Sequence, residues 1–222
     1  MKKQILILTA LFFLLGIGAN CYGENNSNSP TFEELLGQSI KKVQGVPTSE
    51  VLLNCVSELK RIDAMYPDNW LSYYYGALFE LQYSLLNLSS NTEALLKEAK
   101  DAVDMLKKHT KANASEVYTL EGYYYYVLIA KDPAKNGSIY YKNVFDSYQK
   151  ALNLNPNNPR ARLLLLTFKL NMGQFLGEQP ENVHQELLAI KKIYEEESTQ
   201  TLEPTWGKSS LDKIMLQYSG GN

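Results

Sequence analysis

Apolar residues recur along this chain at three- and four-residue intervals, and no stretch alternates with the period of two that a half-buried strand needs. The spacing predicts one helix after another. Ser29, Pro30, Thr31 and Glu34 form a start signal for a first helix over 32–44, which Gly45 and Pro47 end. Thr48 or Ser49 opens a second, running through Leu52, Cys55, Leu59 and Ile62 to Pro67. Asp68 and Asn69 precede a third that carries Trp70, three tyrosines over 73–75, Gly76, Phe79 and Tyr83. Asn91 caps a fourth, with Ala94, Leu95, Ala99, Val103 and Leu106 inward. Two more occupy 115–159, separated by a connection over 131–138. Pro159 opens a seventh over 160–171, and a loop with Gly173 and Gly177 follows over 172–179. Pro180 starts an eighth, with Val183, Leu187, Leu188, Ile190 and Ile193 inward. A short ninth over 209–218 would cover the exposed end of the stack, as the last unit of a helical array requires.

The pair over 115–159 shows how these helices combine. It carries Tyr118, Gly122 and Tyr125 on its first helix and Tyr148, Ala151 and Pro156 on its second. Those residue types at those offsets resemble a tetratricopeptide repeat, a unit of about 34 residues. The resemblance extends over 32–197 and is closest in this central unit, which exceeds the family length by about ten residues. In the unit before it Gly76 matches while Trp70 is off the usual aromatic position, and in the unit after it Leu166 stands where a small residue belongs. The resemblance implies an all-α fold, a right-handed array of about nine helices in antiparallel hairpins, forming one domain over 31–222. It also implies that Gly122 and Tyr125 lie in a helix–helix seam, and that the concave face binds something. The segment Pro204-Thr205-Trp206-Gly207 is similar to the tails of small exported proteins of this type.

Residues 1–23 have the anatomy of a bacterial secretory signal, with Lys2 and Lys3, an apolar run over 5–17 and then small residues. Residues 24–30 read as a polar linker. The apolar run is shorter than the roughly 20 residues a span needs, so the chain is expected to be exported, to the periplasm or cell surface, without a transmembrane helix. Cys21 leaves two outcomes open: it accepts a lipid anchor, or ordinary cleavage after Gly23 removes it. Either way Cys55 has no intramolecular disulfide partner, and its apolar helix face reads it as a small buried hydrophobe. Loss of Lys2 and Lys3 takes the net charge from −2 to −4. A mildly acidic chain with dispersed lysines is not suited to a phosphate backbone, and no nucleic-acid partner is expected.

Candidate chemistry is sparse. His109 and His184 are the two histidines and neither has zinc-ligand spacing; His109 is expected to close a helix end as an imidazolium on the dipole. No nucleophile elbow, phosphate loop or dinucleotide fingerprint occurs, so no catalytic residue, metal or cofactor is expected. Tyrosine is the departure. There are sixteen, bunched over 73–75, 123–126 and 140–141. Consecutive helical residues point about 100° apart, so four in a row cannot share one core. Placed by the repeat resemblance, Trp70, Tyr73, Glu80, Glu116, Thr119, Tyr123, Tyr126, Arg160, Thr167 and Asn171 fall on the concave face. Family members that clamp a peptide carboxylate use lysines and asparagines at positions held here by Tyr73, Ala77, Thr119 and Tyr123, which leaves Arg160 alone to meet an acidic group. Two functions follow. The preferred one is a non-catalytic scaffold in the cell envelope, holding a protein or peptide partner in the tyrosine-rich groove. The alternative is a carrier of a small ligand, such as a glycan fragment, stacked on the aromatic walls. Nothing in the pattern selects an oligomeric state.

Overall fold

The computed structural model describes residues 29–45, 47–176, 180–198 and 202–218. The expected signal segment, Cys21 and nearly all of the expected linker lie outside them. Among the described residues there are nine helices and no strand: α1 (Phe32–Lys42), α2 (Ser49–Met65), α3 (Trp70–Leu86), α4 (Glu93–Leu106), α5 (Ala114–Lys131), α6 (Pro133–Leu154), α7 (Pro159–Leu176), α8 (Val183–Glu196) and α9 (Lys208–Tyr218). None of these helices is long and apolar enough to cross a membrane.

Local chemistry sets most of the ends. Thr31 and Glu34 form a reciprocal capping box on α1, and the side chains of Thr48, Asn69 and Asn113 cap α2, α3 and α5. At α4 the cap position is Thr92, which makes no side-chain bond, while Asn91 Oδ1 accepts from the Glu93 N–H at 3.2 Å.

The eighth helix opens at Val183 and not at Pro180, after Asn182 in the left-handed conformation, and two other boundaries differ more from the sequence reading. The connection expected over 131–138 shrinks to Asp132 alone, because Pro133 takes the first helical position and Asp132 accepts from the Lys135 N–H at 3.1 Å. A proline there sacrifices no hydrogen bond, since that N–H would be free anyway. The seventh helix also runs on to Leu176, through Gly173. The apolar spacing of Leu163, Leu166 and Leu170 carries it across the glycine, whose propensity penalty is only about 1 kcal/mol.

Each helix packs on the next, and α3–α5 and α5–α7 also touch. Helices α3, α5 and α7 therefore form one layer of an array of helix hairpins, backed by α2, α4, α6 and α8. One core runs through α1–α5 and includes Leu36, Leu52, Leu59, Leu78, Leu106 and Leu120. A second unites α7, α8 and α9 through Leu163, Leu170, Leu187, Ile190 and Leu211. Val144, Tyr148 and Phe168 join α6 to α7.

Gly122 occupies the seam the repeat resemblance implies. A Cβ on it would lie 2.5, 2.6 and 2.9 Å from three ring carbons of the buried Tyr148. Gly76 is different: a Cβ there would meet nothing within 4 Å. Tyr125 also lies between α5 and α6, nearer the edge: it is half-buried, with its ring stacked on Tyr140 of α6 at 5.7 Å, while the buried Tyr148 fills the space over Gly122. Cys55 is fully buried, its Sγ 3.7 Å from the Ser39 carbonyl oxygen, and burial raises the thiol pKa. His109 lies just beyond the end of α4, where its Nδ1 accepts from the Lys111 N–H at 3.3 Å and Nε2 meets the Asp68 carbonyl oxygen at 3.2 Å.

The feature that positions the site is residues 202–207, which form no helix. They pass over the α3–α5–α7 layer before α9 packs against α8. Leu202 lies against Gly37 of α1, and Gly207 reaches Tyr194 of α8 and Arg160 of α7. Gly207 has φ +103, and a Cβ on it would stand 2.3 Å from the Tyr194 hydroxyl, so both backbone and space demand glycine.

Candidate functional site

Tyrosines of α3 and α5 hold the crossing segment. The Tyr75 hydroxyl donates to the carbonyl oxygens of Leu202 and Glu203 at 3.1 and 3.2 Å. The Trp206 indole N–H donates to the Tyr74 hydroxyl at 2.9 Å, and its ring lies 6.2 Å from that of Tyr123. A non-helical segment thus lies on the face expected to bind one, and it belongs to the chain itself.

Beneath the segment is a buried ionic clasp. Tyr74 donates onward to Glu116 Oε2 at 3.1 Å. Arg160 Nε meets both Glu116 oxygens at 3.0 Å, and its terminal nitrogens meet Glu197 at 3.0 and 2.6 Å. Asn158 Nδ2 adds bonds to Ser115, Glu116 and Thr119 at 3.0, 2.9 and 3.3 Å. Burial opposes charge on Arg160, but the Glu116 charge and the hydrogen bonds to both glutamates outweigh it and raise its pKa. The acidic group that Arg160 was free to meet is supplied within the chain. A polar cavity of about 410 Å³ beside the clasp is lined by Trp70, Glu116, Arg160 and Glu197.

The ten residues expected on one surface therefore occupy separate places. Trp70, Glu116, Thr119 and Arg160 belong to the clasp and its cavity, and Trp70 packs edge-on against Tyr74 at 5.7 Å. Tyr123 and Tyr126 stack at 6.4 Å, and Asn171 donates to the Tyr126 hydroxyl at 2.9 Å. Tyr123 is only 7 % exposed, with Trp206 against it. The hydroxyls of Thr119 and Thr167 are spent on their own helices, on Ser115 and Leu163 carbonyls, both at 2.8 Å.

Tyr73 and Glu80 lie elsewhere, in a cavity of about 300 Å³ between α2, α3 and α4. Burial, then a hydrogen bond with Glu98, pushes the Glu80 carboxyl up to about 8, so it holds a proton at neutral pH. Lys60 gives its ion pair to Glu98 and stands 3.7 Å from Glu80. The cause of the misplacement is the α2–α3–α4 sandwich: a central helix has two covered sides, and the repeat offset chose the wrong one.

What stays open on the α3–α5–α7 face is a cleft of about 450 Å³ between the end of α1, α3, the crossing segment and the start of α9. Tyr75, Leu78, Phe79, Tyr123, Leu164 and Trp206 give it aromatic and aliphatic walls, and Ile40, Val43 and Leu85 extend them. Tyr123 is the one residue of the expected set that lines it. Burial raises the pKa of both Tyr75 and Tyr123, so their rings meet a ligand as neutral phenols. Among the described residues no group of three histidine, cysteine or acidic side chains is placed to hold a metal ion. The signals for the missed residues were present in Tyr75, inside a tyrosine bunch, and in Trp206-Gly207 after a proline.

No family model matches the chain, and no curated protein matches it. A solved structure does. The HusA haemophore from Porphyromonas gingivalis superposes with a TM-score of 0.76, covering 87% of this chain and 95% of that one at 18% identity. At that identity the likeness establishes the fold, an all-helical array.

Proposed function

We propose that the chain is a non-catalytic, exported carrier of a small, largely apolar ligand, built as a divergent tetratricopeptide-like array. The ligand lies in the cleft between α1, α3 and the crossing segment. The observation that carries this reading is the cleft itself. Its volume of about 450 Å³ falls within the roughly 300–1,000 Å³ typical of small-molecule sites, and its walls are ring faces and aliphatic side chains. The haemophore neighbour supports it from a second direction, since a flat macrocycle of the haem class suits walls made of Tyr75, Phe79, Tyr123 and Trp206. The reading as a peptide scaffold is less favoured, because residues 202–207 already cover the face a partner's segment would need.

Thermal unfolding of the mature chain with and without protoporphyrin IX tests the proposal. A ligand bound only by the folded state raises the midpoint in proportion to RT ln(1 + [L]/Kd). The midpoint should rise with ligand concentration, and the rise should shrink in Phe79→Ala, which removes part of the wall. A midpoint indifferent to every apolar ring compound tried would dispose of the carrier reading.

A further inference from the structure

The charge around the cleft is one-sided. Among the described residues, Lys208 and Lys213, in the first two turns of α9, are the charged side chains that line it, and no aspartate or glutamate does. The whole chain has a net charge of −2, so this bias belongs to the cleft and not to the protein at large. The salt bridges of the described residues use neither lysine. Glu195, a carboxylate that the Lys208 charge reaches, is held by Lys191. An apolar cleft with cations at one end and no anion attracts a ligand that is apolar in body and negative at one edge.

Resting on the carrier reading, we propose that the ligand carries a carboxylate, which Lys208 and Lys213 receive while Phe79, Leu85 and Trp206 cover its apolar body. Ammonium–carboxylate hydrogen bonds are charge-assisted, yet both lysines are exposed and their attraction is weakened by water and salt. They orient and select the ligand, while the apolar walls supply most of the affinity. A flat ring bearing carboxylates and a single-chain fatty acid share this chemistry.

The test is a calorimetric titration of the mature chain with protoporphyrin IX, its dimethyl ester, palmitate and methyl palmitate, at low and at physiological salt. The free acid should bind about tenfold tighter than its ester, the sum of two weak exposed pairs. That gap should narrow with added salt and close in the double variant Lys208→Gln, Lys213→Gln, whose esters should bind as to the wild type. The acid that shows the gap, ring or chain, identifies the source of the carboxylate. Acids and esters binding alike, or a gap that survives in the double variant, overturns the carboxylate assignment and leaves the carrier reading standing. Binding of none of the four overturns both.

Discussion

At Gly122 a hydrogen in place of a methyl group decides whether α5 and α6 can touch. The Tyr148 ring lies where a Cβ would be, at 2.5–2.9 Å, and it is fully buried and cannot swing out. Gly122→Ala should therefore destabilise by about 1–3 kcal/mol by overpacking, although alanine is the better helix former. Denaturant unfolding gives the number, and an unchanged midpoint would remove Gly122 from the seam. Glu80 makes a different prediction, about pH. Its folded-state pKa, about 8, is above its ordinary 4.5, so between those values the folded chain holds a proton that the unfolded chain has lost. Stability should then be greatest below about pH 4.5 as far as this group is concerned, and fall as pH rises towards 8. Glu80→Gln keeps a neutral side chain at all pH values and should flatten that slope; chemical denaturation across the window reads it, and identical slopes would refute it. Gly122 was legible in the sequence because a small residue among aromatics at repeat spacing has few other uses. The side on which Glu80 lies was not, since both sides of α3 are covered.

Among the elements, the clasp under residues 202–207 matters most. Arg160 lies between Glu116 and Glu197 with its side chain 5 % exposed. Arg160→Ala would leave two carboxylates facing each other without their cation and should lose roughly 3–5 kcal/mol, the usual result of breaking a buried pair. A loss below about 1 kcal/mol in thermal or denaturant unfolding would mean that water enters the clasp freely. Tyr75→Phe is milder, because it deletes only the donor to two carbonyl groups, and should lose about 1 kcal/mol. It should also loosen the segment, seen as faster amide exchange in and around residues 202–207. Helices α1 to α5 could be read from the sequence because their caps and apolar spacing are local. The crossing segment could not, since the bond from Tyr75 to Leu202 joins residues 127 positions apart. Asp132-Pro133 was misread for a local reason: a proline that opens a helix looks much like one that ends it.

For the whole molecule, the consequence is that an array expected to leave its tyrosine-rich face open lays residues 202–207 of its own chain across it. The space left is a cleft with Trp206 in its wall, while Trp70 lies in the separate cavity beside the clasp. The two tryptophans are thus reporters of two places, and the chain contains no others. The most direct test of the carrier account is fluorescence quenching by protoporphyrin IX in single-tryptophan chains. With Trp70→Phe, the remaining Trp206 should be quenched saturably, by stacking and energy transfer at contact distance. With Trp206→Phe, Trp70 should be quenched less at the same occupancy. Stronger saturable quenching of Trp70, or no saturable quenching of Trp206, would contradict the assignment of the cleft as the ligand site.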